Sequence, residues 1–397
     1  MDGLTEQNIS NVFLYIGDAV RWDSLPESIA DRGQTYKTVA ASIHTPTSFS
    51  SIVTGLHPPQ HGVRQFGDSI HADVLSLFSL PGVHSAFANT INEAFNENPD
   101  SESILDETLA TTESDPDLIA DIEPPFVFVE RGPGGHAPYG SFPGNGWEYY
   151  RERQAAPTST YCDEYRVGVE RDRQYFESRI AELERRGLLD DTLIIYTSDH
   201  GELLGEGGCL GHNAPIHPKL AYVPTVFIHP SFESRRVTAG LLRHVDLFPT
   251  IAALIGDAVP ELPGIDLTSE RLADHGACFY RKGYVAGAPL ISGESVYESV
   301  WDTDGGYVYS RTGRLNRFAI MCGKLLKSAK REYMRRHLKK VVPFHLAGAR
   351  RYGTPGVTSN QCQSTLETIH DLPKAKTVAN TLDSAAEARL RELGYLR

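Results

Sequence analysis

With 397 residues, the chain has room for one large domain or two unequal ones, and its formal charge of −13 (38 Lys and Arg against 51 Asp and Glu) argues against general affinity for nucleic acid. No apolar run approaches the roughly 18–20 residues that span a bilayer. The start, Met1-Asp-Gly-Leu-Thr-Glu, lacks the basic and apolar segments of a leader, so the expected location is cytoplasmic. The five cysteines, Cys162, Cys209, Cys278, Cys322 and Cys362, are odd in number and include no Cys-x-x-Cys pair, which suits free thiols better than a disulfide framework or a structural zinc site.

In chain order, residues 11–17 form a continuous apolar run, the pattern of a buried strand, and the run stops at Asp18. Asp18 is a candidate carboxylate ligand, and Arg21 either orients an anion or pairs with Asp23. Residues 45–54 open with the hydroxyl-rich turn Thr45-Pro46-Thr47-Ser48 and continue as a short apolar helix closing on Thr54-Gly55. A hydroxyl at the start of a helix can meet an anion among backbone N–H groups and be deprotonated beside a metal. His61 reads as structural. Residues 97–124 are acidic and turn-rich, a surface excursion, and 126–130 form the next strand. The Gly/Pro-rich stretch 131–146 then carries His136 on a loop.

A helix is predicted over 164–186, where Tyr165, Val169, Phe176, Ile180 and Leu183 recur at helical spacing before Gly187. The β-branched run 192–198 ends in Asp199-His200-Gly201. A carboxylate and an imidazole on rigid backbone at the carboxyl edge of a sheet suit a divalent cation, although a strand also ends in a polar turn for no chemical reason. A further strand is predicted at 223–228. Alternation of strand and helix implies a mostly parallel sheet with helices on both faces. Beyond 268, strand-like runs at 306–309 and 317–321 suggest a small antiparallel α+β subdomain, giving a division into 1–267 and 268–397.

Charge is unevenly spread. Residues 311–351 carry 13 Lys or Arg against one acid, Glu332, so the segment is +12 and the remainder −25. Within it, 322–342 reads as a basic amphipathic helix, either a solvated face packed on the acidic body or a contact for an anionic membrane.

Four motifs, in this order, resemble the sulfatase branch of the alkaline phosphatase superfamily: the strand ending in Asp18; Thr45 to Thr54-Gly-Leu-His-Pro-Pro-Gln-His-Gly; Phe126-Val-Phe-Val followed by His136-Ala-Pro-Tyr; and Ser198-Asp-His-Gly-Glu. Tyr222-Val-Pro-Thr-Val-Phe-Ile-His-Pro, His244-Val-Asp-Leu-Phe-Pro-Thr-Ile and the terminal Leu390-Arg-Glu-Leu-Gly-Tyr-Leu are weaker matches. The resemblance implies an alkaline-phosphatase-like α/β fold and a metal-dependent ester hydrolase. Two departures matter. Family sulfatases carry Cys or Ser in Cys/Ser-x-Pro-x-Arg, later oxidised to formylglycine; counting ten residues back from Gly55 lands on Thr45, with Thr47 in place of the Pro and Phe49 in place of the Arg. Threonine cannot become formylglycine, so Thr45 is the expected unmodified nucleophile, with Thr47 or Ser48 as alternatives in register and a plain helix cap as the bland reading. Gly17 stands where relatives place a second Asp. Asp18, Asp199, His200 and the Thr45 oxygen would then hold one divalent ion, Zn, Mn or Ca; a second would draw on His136, His212 or His217.

By the same resemblance, His136 contacts the ester oxygens and His212 protonates the leaving group. The expected reaction proceeds through a Thr45 ester, on a small or a glycan- or lipid-linked anionic substrate. A phosphate mono- or diester is favoured, with a sulfuric ester as the alternative. A noncatalytic binder of anionic glycans or lipids is the remaining reading, disfavoured by the metal trio.

Overall fold

The computed structural model describes residues 9–91, 104–111, 118–256, 261–285 and 292–379. The terminal Leu390–Leu396 motif and parts of the 97–124 excursion lie outside these residues, although short helices at Ile104–Leu109 and Leu118–Asp121 are described.

The centre is a seven-stranded sheet of β1 (Asn11–Gly17), β2 (Gln34–Val39), β3 (His84–Asn89), β4 (Phe126–Gly132), β5 (Thr192–Ser198), β6 (Tyr222–Ile228) and β7 (Arg235–Arg243), in the order β7-β2-β6-β5-β1-β4-β3. β6 alone runs against the others. β1 is apolar on both faces because both are covered. Val12, Leu14 and Ile16 pack with Phe49, Ile52 and Val53 of helix α1 (Thr45–Thr54), while Phe13 and Tyr15 pack with Phe176 of the long α2 (Thr158–Arg185). Leu247, Phe248 and Ile251 of α3 (Leu247–Leu254) complete the first layer. Side chains alternate by period two along each strand, so one apolar run feeds two helical layers.

Register sets where the chemistry emerges. Gly17 pairs with Gly132 on one side and Ser198 on the other, so Asp18 and Asp199 leave the same carboxyl edge side by side.

A four-stranded antiparallel sheet follows: β8 (Gly276–Val285), β9 (Ser292–Trp301), β10 (Gly305–Ser310) and β11 (Ala349–Gly353). It adjoins the segment just beyond β2, where the Phe279 N–H donates to the Ala41 carbonyl at 2.8 Å. One apolar cluster containing Val39 and Tyr222 from the first sheet and Cys278, Trp301 and Val308 from the second crosses residue 267.

Two expectations for the C-terminal part are corrected. The run 317–321, expected as a strand, lies inside helix α4 (Arg314–Lys327), where Met321 and Lys324 bury at a three-residue interval and Arg317 ties to the Leu346 carbonyl at 3.1 Å. The segment 322–342 is not one helix. Ser328 adopts extended backbone (φ −65°, ψ 145°) and ends α4, His337 (φ −114°) separates α5 (Arg331–Arg336) from α6 (Leu338–Leu346), and these turns let Tyr333, Met334, Val341 and Phe344 reach the core.

Candidate active site

At the carboxyl edge of β1 and β5, Asp18, Asp199 and His200 offer one ligand atom each, all within 4.8 Å of one another, and all three residues are fully buried. Asp18 Oδ2 accepts from Arg131, with Nε at 3.1 Å, whereas Asp18 Oδ1 has no hydrogen-bond partner. Asp199 Oδ1 accepts from the N–H groups of Ala19 (3.0 Å) and His200 (2.9 Å), leaving Oδ2 without a hydrogen bond. His200 Nδ1 lies 2.9 Å from the Gly201 carbonyl, which can only accept, so Nδ1 carries the hydrogen and Nε2 turns its lone pair towards the carboxylates.

Buried unpaired oxygens are costly, and two carboxylates facing one point call for positive charge. Burial would raise the Asp18 pKa, but Arg131, His136 and His200 outweigh it and hold the carboxyl below its usual range. Asp199 has no guanidinium bonded to it, and burial with Asp18 beside it pushes its pKa up to about 6. Burial works against a charged His200, yet Asp199 and Asp18 raise its pKa. Two orphaned oxygens and an available imidazole nitrogen fit a divalent cation.

Thr45 is the first residue of α1, fully buried, with Oγ1 3.3 Å from His200 Nε2. The neighbouring hydroxyls stand differently. Ser48 Oγ donates to the Asp199 carbonyl at 2.5 Å and lies 3.1 Å from His244 Nδ1. Thr47 faces a cavity of about 180 Å³ bounded by Arg64, Tyr280, Arg281 and Lys374.

His212 stacks near both other histidines, with ring centroids 4.3 Å from His200 and 5.4 Å from His136. Its Nδ1 lies 3.0 Å from Glu202 Oε2, an acceptor, so Nε2 is the unprotonated nitrogen, and Nε2 has no hydrogen-bond partner. Burial, helped by His200, His136 and Lys330, holds the His212 pKa well below its ordinary value. Glu202 also accepts from the Tyr139 hydroxyl, which Tyr150 bonds at 3.1 Å. The other candidates stand apart from this cluster. Arg21 pairs with Asp23 (2.9 Å) and Glu206 (3.1 Å), His61 lies against Ser51 at 3.1 Å, and His217 caps the turn at Pro218–Ala221.

Sequence reading missed Arg131, Glu202, Lys330 and Asp172. Asp172 lies mid-helix in α2, fully buried, and accepts from Gly134 N–H (2.8 Å), the Tyr15 hydroxyl (2.9 Å) and the Tyr196 hydroxyl (2.8 Å), clamping the ends of β1, β4 and β5. It also accounts for Gly17, where a Cβ would stand 2.7 Å from Asp172 Oδ2. The one available signal was a charge within the apolar stripe of a helix.

A family model described as Sulfatase matches residues 74–257. The low-salt glycan biosynthesis sulfotransferase Agl7 of Haloferax volcanii is 33% identical over 326 residues, covering 79% of this chain and 78% of that protein. The uncharacterized sulfatase YidJ of Escherichia coli is 37% identical over 76 residues, 19% of this chain and 15% of its own length. Among solved structures, a 2-O GAG sulfatase superposes with a TM-score of 0.57 at 14% identity, over 84% of this chain and 90% of that one. The phosphonate monoester hydrolase of Agrobacterium radiobacter gives 0.50 at 16% identity, over 85% and 96%. With a relative 33% identical along most of both chains and a Sulfatase family model matched to residues 74–257, the chain belongs to the sulfatase family.

Proposed function

We propose that this protein moves a sulfuryl or phosphoryl group from an anionic, glycan-linked ester through a covalent ester on Thr45. The observation that carries this reading is the Thr45 hydroxyl at the start of α1, 3.3 Å from the nitrogen that completes the Asp18–Asp199–His200 cluster. A divalent ion held by these three residues would supply charge that lowers the pKa of the Thr45 hydroxyl and polarises a nonbridging ester oxygen.

In the first half-reaction, Thr45 Oγ attacks the sulfur or phosphorus, the bond to the alcohol oxygen breaks, and that oxygen gains the proton Thr45 loses. Threonine has a single oxygen on Cβ, so its ester is discharged only when a second oxygen nucleophile attacks the same sulfur or phosphorus and Thr45 leaves with a proton. His212, neutral and with Nε2 open, fits as the group that carries this proton between Thr45 and the alcohol in both directions. Glu202 fixes its tautomer. His136, buried beside it, would position the nonbridging oxygens.

The nucleophile in the second half can be water or a sugar hydroxyl. Burial of every group in the cluster limits water, and the name of the Haloferax relative, a glycan biosynthesis sulfotransferase, favours a glycan hydroxyl receiving a sulfuryl group. A phosphoester hydrolase is the second reading, favoured by a nucleophile that cannot become formylglycine. p-Nitrophenyl sulfate, phosphate, bis-phosphate and phosphonate, each supplied with Mn²⁺, Zn²⁺ or Ca²⁺ and with or without an acidic oligosaccharide, separate the two. Nitrophenol release that rises with the oligosaccharide and sulfated glycan as product support transfer. Release indifferent to acceptor and confined to phosphate esters supports hydrolysis. No release or transfer from any ester with any ion contradicts both.

A further inference from the structure

Among the described residues, seven large hydrophobic side chains are exposed, and five of them, Leu315, Phe318, Leu326, Leu338 and Val342, fall in the helical layer α4–α6. Scattered exposed apolar residues need no explanation; a cluster does. On α4, Leu315 (85% exposed), Phe318 (52%) and Leu326 (66%) recur at i, i+3 and i+11 and so share one side of the helix, while Met321 and Lys324 bury on the opposite side. Bonds from Arg317 of α4 to the Leu346 carbonyl of α6 (3.1 Å) and from Arg335 of α5 to the Leu325 carbonyl of α4 (2.9 Å) tie the three helices into one layer, in which Leu338 and Val342 of α6 are exposed as well.

The basic residues of this segment divide into two groups. Lys324 donates to the Asn213 carbonyl, Lys330 stands over the Tyr150 ring at 4.3 Å, and Arg336 bonds the carbonyls of Gln154, Ala155 and Ala156, all turned towards the protein. Arg314, Lys327, Lys339 and Lys340 are exposed and make no ion pair among the described residues. Apolar side chains beside unpaired cations, on a segment of +12 carried by a body of −25, match a surface that is anionic outside and apolar beneath.

We infer that α4–α6 docks the protein on an anionic phospholipid surface, with Leu315, Phe318 and Leu326 entering the acyl boundary and Arg314, Lys327, Lys339 and Lys340 at the headgroups. The inward side of the same segment meets the wall of the catalytic cluster through Lys324 and Lys330, so docking would hold the site beside esters carried at the membrane. This inference does not depend on which ester is cleaved.

The test is co-sedimentation of the full chain with vesicles of phosphatidylglycerol and phosphatidylcholine, against phosphatidylcholine alone, at low and high salt. The chain should pellet with anionic vesicles, should not pellet with neutral ones, and should be released by salt. Leu315→Ser/Phe318→Ser/Leu326→Ser and, separately, Arg314→Gln/Lys327→Gln/Lys339→Gln/Lys340→Gln should each lower partitioning at least about tenfold with an unchanged melting temperature, because all seven positions are exposed. The inference is overturned by a wild type that stays in the supernatant, by variants that bind as it does, or by self-association lost in the serine variant without vesicle binding. That last outcome assigns the face to a second copy.

Discussion

Arg131 is the residue whose removal tests the charge balance of the site most sharply. Its guanidinium is 5% exposed and donates twice to Asp18 Oδ2, a carboxylate fully out of water. Arg131→Met keeps most of the side-chain volume and removes the charge, leaving Asp18 beside the equally buried Asp199. Breaking a buried pair by deleting one partner typically costs about 3–5 kcal/mol. In the presence of EDTA, urea unfolding at neutral pH should show a loss of that size. With saturating Mn²⁺ or Zn²⁺ the cation supplies the missing counter-charge and stabilises by mass action, so the loss should shrink to about 1–2 kcal/mol. The pH dependence has a fixed sign. Asp18 is depressed in the fold, so its contribution is full above the unfolded carboxyl range near pH 4 and fades as the pH falls below it; the gap between wild type and variant should narrow on acidification. A loss below about 1 kcal/mol in EDTA, or one that metal leaves unchanged, would refute the reasoning.

Asp199→Ala and His200→Ala should each remove most bound metal, read by elemental analysis after gel filtration, together with all turnover; stoichiometric metal in both variants would dismiss the trio as ligands. Thr45→Ala should keep fold and metal but lose turnover, with Thr45→Ser partly active. Normal activity in Thr45→Ala and none in Thr47→Ala or Ser48→Ala would move the nucleophile along the helix. Burial raises Asp172 to about 6, so its ionised form costs stability above that pH and the cost fades as the pH falls towards 4. Urea unfolding at pH 8 should therefore find Asp172→Asn at least as stable as wild type. Asp172→Ala, which strands the Gly134 N–H and two tyrosine hydroxyls, should lose about 2–4 kcal/mol.

The central strands were legible because each is an apolar run buried on both faces and closed by a polar stop. The runs at 11–17, 126–130, 192–198 and 223–228 all fall in the sheet, and the period from Tyr165 to Leu183 falls in α2. β2, β3 and β7 were missed because Gln34-Thr-Tyr-Lys-Thr-Val, His84-Ser-Ala-Phe-Ala-Asn and Arg235–Arg243 are mixed in polarity, the last an edge strand with one side open to water. Phe318-Ala-Ile-Met misled because a short apolar run has no period of its own. The ligand candidates were legible because they end strands. Arg131 stands just past the expected strand 126–130 and so reads as a loop residue, whereas it lies within β4, opposite Ile16, from where its side chain reaches Asp18. Glu202 feels the charge of Lys330 from 128 positions away in the sequence, an influence no local pattern encodes.

The account rests on a covalent ester at Thr45, and rapid acid quench during turnover of a reactive sulfate or phosphate ester, followed by peptide mass analysis, tests it directly. The account predicts one added sulfuryl or phosphoryl group on the peptide carrying Thr45, located by fragmentation to that residue and absent in Thr45→Ala. Steady turnover with no modified peptide, or the group found on Thr47, Ser48 or a histidine, would contradict it.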